Sequence, residues 1–350
     1  MPPTELHPSV DRSRFRTEPP PELLAAIQEA RTVLCISHVG PDGDAIGSLT
    51  GLGWLLQALG KAPTLALADP VPEDFHFVPG QERIVGPDGV GPVYDLAICV
   101  DASSPDRMGP VYRPQVHSRF PLAVIDHHVT NTFFGQIHWV DPSAAATCQM
   151  LATLAQALDV PLAGPLAECL LTGLVTDTLG FRTSNTDTRV LATAIQLMEG
   201  GADLNQIVNM TLRRRPFAMV RLWSMVLPTV TLEEGVIWVV IRQSQREAAG
   251  VPENASPGLA GFLVEVREAD ISATFTERVR ENGQVEVECS FRAKPGFDVS
   301  QVAFAFGGGG HPPAAGCTLP GSPDQVVPQV VAALQALRRS QLAQEEQAYP

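Results

Sequence analysis

Short apolar runs alternate with longer stretches of helical periodicity between residue 21 and about residue 205. The short runs are rich in β-branched side chains and are bounded by polar residues or glycine, which is typical of buried strands. Strands are predicted at 32–36, 62–68, 95–100 and 122–125, and helices at 23–30, 48–59, 143–157, 165–175 and 186–199. This alternation predicts an α/β domain with a doubly wound, mostly parallel sheet that is covered on both faces.

A different pattern follows residue 205. Residues 206–235 have helical periodicity around Arg213-Arg214-Arg215, which predicts a helical connector with a solvated basic face. Further predicted elements are strands at 236–241, 270–280 and 284–292, helices at 258–268 and 326–342, and a glycine-rich segment at 307–316. We therefore predict a smaller α+β domain over 236–342 with its own core. Residues 1–20 are polar and proline-rich and are predicted to form a flexible tail.

Acidic and histidine side chains follow three of the predicted parallel strands. Because open α/β sheets bind ligands in a crevice at the carboxyl ends of their strands, we expect these side chains to converge. Together with one residue that follows helix 165–175, they are His38, Asp42, Asp44, Asp101, His127 and Asp177. For the first turn, residues 37–48, the alternative is an ordinary Asp-Gly turn with helix-capping carboxylates and no metal.

The carboxylates in this set predict bound cations. Like charges raise one another's pKa, so four carboxylates in one crevice cannot all stay ionised without added positive charge. Oxygen donors with imidazole suit Mn²⁺ or Mg²⁺ better than Zn²⁺. Two such cations can clamp the attacking and leaving oxygens of a phosphoryl transfer and convert a shared water into hydroxide. The sequence also lacks a Gly-x-Ser-x-Gly elbow and a P-loop. It therefore predicts a two-metal phosphoesterase.

The net charge limits which classes of substrate the protein can bind. At −14, the chain is unsuited to electrostatic binding of long duplex DNA or of an anionic membrane, so a phosphate substrate must be short and captured in a site. No apolar run has membrane-spanning length, and the N-terminus has no apolar signal-peptide core. Six cysteines without a Cys-x-x-Cys pair indicate a reducing compartment, and a cytoplasmic location is expected.

Asp126-His127-His128 after a strand, with the first turn and Asp101, resembles the motif set of the DHH phosphoesterase family. Over about residues 22–335 the chain is similar to the NrnA-type branch of that family, which is related to the RecJ exonuclease core. Gly307–His311 with Ala314-Ala315-Gly316 matches the branch's glycine-rich histidine motif. The resemblance implies a metal-binding catalytic domain over 21–205 and a substrate-binding domain over 236–342.

The resemblance also implies metal roles. One cation would be held by His38, Asp42 and Asp101, and the second by Asp44, Asp101, His127 and Asp177, with Asp101 bridging. Mn²⁺ would be the favoured metal, with Mg²⁺ or Co²⁺ as substitutes. His128 would face the scissile phosphate as a hydrogen-bond donor or acid, the alternative being a structural neighbour of His127. Asn131 would orient ligands, the alternative being an ordinary loop residue.

Substrate contacts are implied in the second domain. Gly308, Gly309 and Gly310 would offer backbone N–H groups to a phosphate beside His311, since glycine allows close approach of the backbone. Arg292 stands where related proteins bind phosphate, and a guanidinium suits bidentate phosphate recognition. Arg107 and Arg182 follow the Asp101 and Asp177 motifs; each is either a substrate contact or a solvated surface residue.

The implied activity is Mn²⁺-dependent hydrolysis of short oligoribonucleotides, such as the dinucleotide pApA, to 5′-mononucleotides. Hydrolysis of 3′-phosphoadenosine 5′-phosphate is also expected. The alternatives are a cyclic-di-AMP phosphodiesterase and, outside the enzymes, a nucleotide-binding sensor or RNA-binding module. Relatives suggest a homodimer. One departure is Leu179, where many relatives have Gly after Asp-Thr, which affects the shape of the pocket.

Overall fold

The computed structural model describes residues 12–252, 255–256, 258–280 and 282–348. The chain divides into two compact units between Arg214 and Arg215. Within the described residues, no helix is both long and apolar enough to cross a bilayer. The six cysteines are buried free thiols.

The first unit is built on a five-stranded, fully parallel sheet in the order β2-β1-β3-β4-β5. The strands are β1 Thr32–Ile36, β2 Ala62–Ala66, β3 Leu96–Val100, β4 Leu122–Asp126 and β5 Ile137–Val140. The chain runs from β1 outward to β2 and then returns past β1 to β3, so the direction of winding reverses between β1 and β3. The predicted fold class is confirmed, and this reversal marks the ligand-binding edge.

Helices of the first unit are α1 Pro21–Glu29, α2 Gly43–Ala58, α3 Pro114–His117, α4 Thr147–Ala157, α5 Pro165–Asp177, α6 Thr188–Glu199 and α7 Leu204–Thr211. The helix predicted from residue 48 begins at Gly43, because the Asp42 carboxylate accepts from the backbone N–H groups of Asp44 and Ala45 at 3.1 and 3.0 Å. This N-cap places Asp44 in the first turn of α2.

Both faces of the sheet are buried, but differently. Side chains such as Val33, Ile98 and Ile125 pack against α1, α2, α4 and α5 in the larger core. On the opposite face, Leu34 and Val124 belong to a smaller cluster with the 3₁₀ segment Pro105–Val111. Alternate residues of each strand therefore enter different cores, as the period of two requires.

The segment before α1 differs from the predicted tail. Residues 1–11 lie outside the described part of the chain, but residues 12–20 are ordered against β5. The Arg16 N–H donates to the Val140 carbonyl at 3.0 Å, and the Trp139 indole N–H donates to the Arg16 carbonyl at 3.0 Å. β5 is an edge strand with backbone groups to satisfy, and Arg16 satisfies the carbonyl of Val140.

The second unit has a six-stranded mixed sheet in the order β10-β11-β9-β8-β7-β6, in which only β7 and β8 are parallel. Its strands are β6 Thr231–Glu233, β7 Val236–Ile241, β8 Ile271–Val279, β9 Val285–Ala293, β10 Gly309–His311 and β11 Ala314–Pro320. Its helices are α8 Phe217–Val226, α9 Gln243–Ala249, α10 Leu259–Leu263, α11 Ser300–Ala305 and α12 Pro323–Ala348. The predicted helix 258–268 shortens to α10, and the glycine-rich segment forms the hairpin β10–β11.

Candidate metal centre

The end of β1 and the start of α2 supply three polar side chains. His38 and Asp44 are buried, with relative exposures of 4% and 0%. The His38 Nε2 atom lies 3.7 Å from Asp42 Oδ1 and 3.4 Å from Asp101 Oδ2. With Asp101, which follows β3, His38 and Asp42 can direct one ligand atom each to a common point.

A second group lies on the other side of Asp101. The His127 Nε2 atom is 3.6 Å from Asp101 Oδ1, 3.4 Å from Asp177 Oδ2 and 4.0 Å from Asp44 Oδ2. Asp44, His127 and Asp177 also form a group that can hold a metal ion. Since one Asp101 oxygen faces each group, the structure brings all six sequence-predicted ligands together around a shared carboxylate.

Asp101 is held in an unusual backbone conformation. It directly follows β3, is 2% exposed, and has φ of 59°, in the left-handed region that non-glycine residues seldom adopt. Its backbone N–H donates to the Ile125 carbonyl at 2.9 Å, and the Thr147 hydroxyl donates to its Oδ1 atom at 3.0 Å. Such strain persists only where neighbouring contacts impose it and is common at functional sites.

The N-terminus of α4 holds the Asp44 carboxylate. The backbone N–H of Thr147 donates to Asp44 Oδ2 at 2.6 Å, and that of Cys148 donates to Oδ1 at 3.0 Å. Free N–H groups and the helix dipole make a helix N-terminus a favourable position for an anion. Sequence reasoning missed Thr147; the available signal was a hydroxyl residue at the start of a helix, which is too common to identify it.

The pKa values show a charge imbalance. Burial, and then the charge of Asp101, raises the pKa of Asp44 well above its usual range. Burial, followed by the charges of Asp44 and Asp101, does the same to the pKa of Asp177. Burial lowers the pKa of His127, which keeps this imidazole neutral and able to ligate. Divalent cations that prefer oxygen and nitrogen ligands need negatively charged carboxylates and a neutral imidazole as donors. The residues present offer both, so they fit such cations.

His38 and Asp42 behave as a pair. Burial opposes protonation of His38, but the nearby carboxylates of Asp101 and Asp42 outweigh burial and raise its pKa to about 10. Desolvation would raise the pKa of Asp42, but the nearby His38 imidazole outweighs this and lowers the pKa to about 2. In the metal-free protein a proton on His38 thus occupies the position that a cation can take.

His128 belongs to a hydrogen-bonded chain that ends at Asn131. The His128 ring N–H at Nδ1 donates to Asp126 Oδ1 at 2.7 Å, and the Asn131 amide donates to Asp126 Oδ2 at 2.6 Å. Burial opposes protonation of His128, but Asp126 outweighs it and raises the pKa to about 9. His128 Nδ1 lies 3.8 Å from Asp101 Oδ1. Asn131 therefore orients Asp126. The sequence analysis did not select Asp126 as a site residue, although Asp126 begins the Asp-His-His motif and ends a buried strand.

Arg107 contacts the candidate metal centre, whereas Arg182 lies on the surface. Arg107 Nη2 is 2.9 Å from His38 Nδ1, and the Val39 carbonyl is also 2.9 Å from Nδ1. A guanidinium only donates and a carbonyl only accepts, so the two contacts require opposite protonation states of Nδ1. When the His38 Nδ1–H donates to the Val39 carbonyl, the His38 Nε2 atom is free to bind a metal ion. Arg182 is exposed, and its Nε–H donates to the Leu179 carbonyl at 3.0 Å.

The remaining candidates belong to the second unit. The strand register places positions 292, 314 and 311 in one row across β9, β11 and β10. The side chain of His311 lies outside the described part of the structure. A Cβ atom on Gly310 would lie 2.6 Å from the Ala314 carbonyl oxygen, so the close β10–β11 approach accounts for this glycine. Arg292 is exposed on β9.

Glycine allows α2 and α5 to approach closely enough to bring Asp44 toward Asp177. A Cβ atom on Gly173 would lie 2.6 Å from Asp44 Oδ1 and would also collide with the Cys148 sulfur. We expect Gly173→Ala to lower the free energy of unfolding by about 1–3 kcal/mol and to weaken the Mn²⁺-induced rise in melting temperature, because Asp44 must move. Thermal melts with and without Mn²⁺ measure both effects.

A matched control is Gly261→Ala in α10, where a Cβ atom would meet nothing within 4 Å. This change should be neutral or raise the stability by up to about 1 kcal/mol, since alanine favours helix more than glycine does. Equal effects of the two substitutions would contradict the assigned role of the α2–α5 contact.

Both units of the chain are similar to known protein domains. Residues 32–174 match the model of the DHH family N-terminal domain, and residues 234–340 match the DHHA1 domain. The chain is 37% identical to the bifunctional oligoribonuclease and PAP phosphatase NrnA of Thermus thermophilus, covering 86% of this chain and 87% of that protein. It is 28% identical to the Bacillus subtilis protein of the same name, covering 85% of this chain and 92% of that protein.

A solved structure shows the same fold along both units. An exopolyphosphatase-related protein from Bacteroides fragilis has a TM-score of 0.82 at 22% identity, covering 92% of this chain and 96% of that chain. The two domain matches and the extent of the sequence similarity decide the family. The chain belongs to the DHH family of phosphoesterases, in its NrnA-type branch.

Proposed function

We propose that this phosphoesterase hydrolyses short oligoribonucleotides to 5′-mononucleotides and removes the 3′-phosphate of 3′-phosphoadenosine 5′-phosphate, using two Mn²⁺ ions. The observation that carries the proposal is two neighbouring ligand groups: one contains Asp101, and His127 of the other lies 3.6 Å from the second Asp101 oxygen. The support for the substrates is the similarity, over 86% of the chain, to a protein named for both activities.

The proposed ligands of one cation are His38, Asp42 and Asp101. Those of the other are Asp44, Asp101, His127 and Asp177. When bound, the two cations would supply positive charge for the phosphate and lower the pKa of a water molecule toward neutrality. Mg²⁺ and Co²⁺ are the proposed substitutes for Mn²⁺, since the same oxygen and imidazole donors suit them.

His128 is the proposed group that contacts the phosphate. Because Asp126 accepts the proton at Nδ1, the His128 ring is held in one orientation and presents Nε2 away from Asp126. From there it would donate a hydrogen bond to a phosphate oxygen or a proton to the leaving oxygen. Asn131 keeps Asp126 in place through its 2.6 Å hydrogen bond, so the three residues act as a unit.

In the second unit, Arg292 and the glycine-rich residues Gly308, Gly309 and Gly310 with His311 are proposed to bind the substrate. The row of positions 292, 314 and 311 supports this, because it sets an arginine and the motif on neighbouring strands. Arg107 is proposed to contact phosphate near His38, and Arg182 remains a candidate at the end of α5.

A turnover panel with Mn²⁺ tests the proposal. The substrates are pApA, a short oligoribonucleotide, 3′-phosphoadenosine 5′-phosphate and cyclic di-AMP, with products separated by chromatography. We expect release of 5′-AMP from pApA and from 3′-phosphoadenosine 5′-phosphate, and its loss when EDTA removes the metal. Turnover of cyclic di-AMP alone would replace the proposed substrates, and no turnover at all would favour a nucleotide-binding sensor.

A further inference from the structure

An aromatic and basic cluster occupies the surface formed by residues 12–17 and the loop after β4. The Phe15 and Phe133 rings are stacked, with centroids 5.9 Å apart and an interplanar angle of 23°. The Arg14 guanidinium carbon lies 4.0 Å from the Phe133 ring centroid. Surfaces that bind single-stranded nucleic acid combine positive charge with aromatic side chains on which bases can stack.

This cluster is held at the edge of the sheet that carries the metal centre. Arg16 pairs with Val140, the last residue of β5, and the Asp141 backbone N–H donates to the Asp126 carbonyl at 3.0 Å. Asp126 is the last residue of β4 and orients His128. Residues 14–17 and His128 thus lie along the same carboxyl edge of the first unit.

Phe133 is also tied to the chain of residues that orients His128. It has φ of 54°, in the left-handed region, and its backbone N–H donates to Asn131 Oδ1 at 2.7 Å. Asn131 contacts Asp126 through its amide nitrogen. A bulky residue in this conformation requires support from its neighbours, which here come from the catalytic loop itself.

A cavity of about 380 Å³ opens beside this cluster. Phe15, Val129 and Pro142 form its apolar wall, and Arg16, Asp141 and Ser143 supply polar groups. Val129 directly follows His128 in the chain, so one wall of the cavity is one residue from the proposed phosphate contact. The volume lies within the roughly 300–1,000 Å³ of small-ligand sites.

The charge of this surface contrasts with that of the chain. The protein carries a net charge of −14, yet Arg16 lines the cavity, Arg14 lies over the ring of Phe133, and Arg189 Nη2 donates to the carbonyl of the cavity residue Ser143 at 3.0 Å. Arg16 is about half exposed and lies 3.8 Å from Glu22, so its guanidinium is near the surface. Arg189 also pairs with Asp187 at 2.9 Å, so Arg16 is the cavity-lining residue whose charge suits a small anionic ligand.

We propose that this cavity binds the nucleoside esterified to the far side of the scissile phosphate in an oligoribonucleotide, an inference that rests on the proposed function. The base would stack on Phe15, Arg16 would pair with a phosphate oxygen, and the Asp141 carboxylate would accept from a ribose hydroxyl or base N–H. Stacking on an aromatic ring is sequence-tolerant, because every base has a π-face.

The two proposed substrates differ in this nucleoside. In pApA, a water oxygen bonds to phosphorus, the bond from phosphorus to the first O3′ breaks, that oxygen takes a proton, and the second adenosine keeps the phosphate on its O5′. In 3′-phosphoadenosine 5′-phosphate the same bond breaks and free phosphate leaves. Only the oligoribonucleotide carries a nucleoside on the phosphate side, so the cavity distinguishes the two substrate classes.

The test compares Phe15→Leu, which keeps an apolar side chain but removes the ring, with the wild type on both substrates in Mn²⁺. We expect kcat/KM for pApA to fall about 5- to 100-fold, as loss of one base–aromatic stack predicts, and kcat/KM for 3′-phosphoadenosine 5′-phosphate to stay within about twofold. Arg16→Gln should act in the same direction. Phe217→Leu in α8, at a ring that is 76% exposed, is the matched control.

The outcomes distinguish a wrong assignment of the cavity from a wrong proposed function. Equal effects of Phe15→Leu and Arg16→Gln on both substrates, or no effect on either, would overturn the cavity assignment while leaving the proposed function intact. A wild type that cleaves only 3′-phosphoadenosine 5′-phosphate would also overturn it. A wild type that cleaves neither substrate would overturn the proposed function and this inference with it. Melting temperatures of the variants identify any loss of folding.

Discussion

The Asp101→Asn variant is expected to lose about 10³-fold or more in Mn²⁺-dependent turnover of pApA, equivalent to ~4 kcal/mol of barrier. One Asp101 oxygen faces His38 and the other faces His127, so a neutral amide weakens both proposed metal sites at once. Asn is the suitable replacement because it tolerates the left-handed backbone at this position better than Ala does. Steady-state kinetics over a range of Mn²⁺ concentrations measure the loss.

The same variant should have a stability close to that of the wild type when EDTA removes divalent cations. Removing the Asp101 charge relieves its repulsion of Asp44 and Asp177 but also removes the carboxylate that raises the pKa of His38, so the two effects oppose each other in the metal-free protein. Mn²⁺ should then raise the melting temperature of the wild type, by the equivalent of about 2.7 kcal/mol at 100 times Kd, and that of Asp101→Asn much less.

Asp88→Asn provides the matched control, since Asp88 is exposed in the 3₁₀ turn Pro87–Gly89. Its turnover and its Mn²⁺-induced shift should equal those of the wild type. If Asp101→Asn kept turnover within tenfold and an unchanged Mn²⁺ shift, the shared-carboxylate assignment would be wrong.

The second large effect is expected at His128. His128→Asn should lower kcat about 10²- to 10⁴-fold, the range for loss of a positioned proton donor, with little change in the Mn²⁺-induced rise in melting temperature. The reason is that His128 contacts Asp126 and lies near Asp101 but is not one of the six proposed ligands. Single-turnover kinetics with calorimetric Mn²⁺ titration separate the chemical step from metal binding.

Asp126→Asn should give an intermediate loss of about 10- to 100-fold. The new Asn side chain has one oxygen, which can accept from either the His128 N–H or the Asn131 amide. Its NH₂ group then faces the remaining donor and cannot accept from it. His76→Gln is a control at an exposed histidine whose Nε2 lies 3.1 Å from the Val71 carbonyl. A His128 variant that lost Mn²⁺ binding together with activity would instead assign His128 to the metal ligands.

Local sequence patterns were sufficient for the fold class of both units. The apolar runs at 32–36 and 236–241 coincide with β1 and β7, because a buried strand needs a short continuous apolar segment whatever its neighbours. Elements with weaker hydrophobic patterns were missed or were predicted with the wrong length. β5 has four residues and only a partly buried face, and the predicted helix 258–268 ends at Leu263. Short or half-exposed elements depend on contacts that their own residues do not encode.

The order of residues along the chain was also enough to predict which chemistry the first unit could carry. Carboxylates and imidazoles that follow parallel strands must gather at one edge, since parallel strands share a direction. In the structure, the His38 and His127 imidazoles both lie within 4 Å of the Asp101 carboxylate. This inference needed only the strand assignments and not the order of the strands.

The arrangement of the site residues depends on tertiary contacts. The division of the Asp101 oxygens between two groups, the α4 N–H groups on Asp44 and the Asn131–Asp126–His128 chain are set by hydrogen bonds. The order β2-β1-β3-β4-β5 and the close α2–α5 approach place these groups. Residues 12–17 reached the same edge by pairing with β5, far along the chain. Such contacts follow from sheet order and packing, which hydrophobic periodicity does not encode.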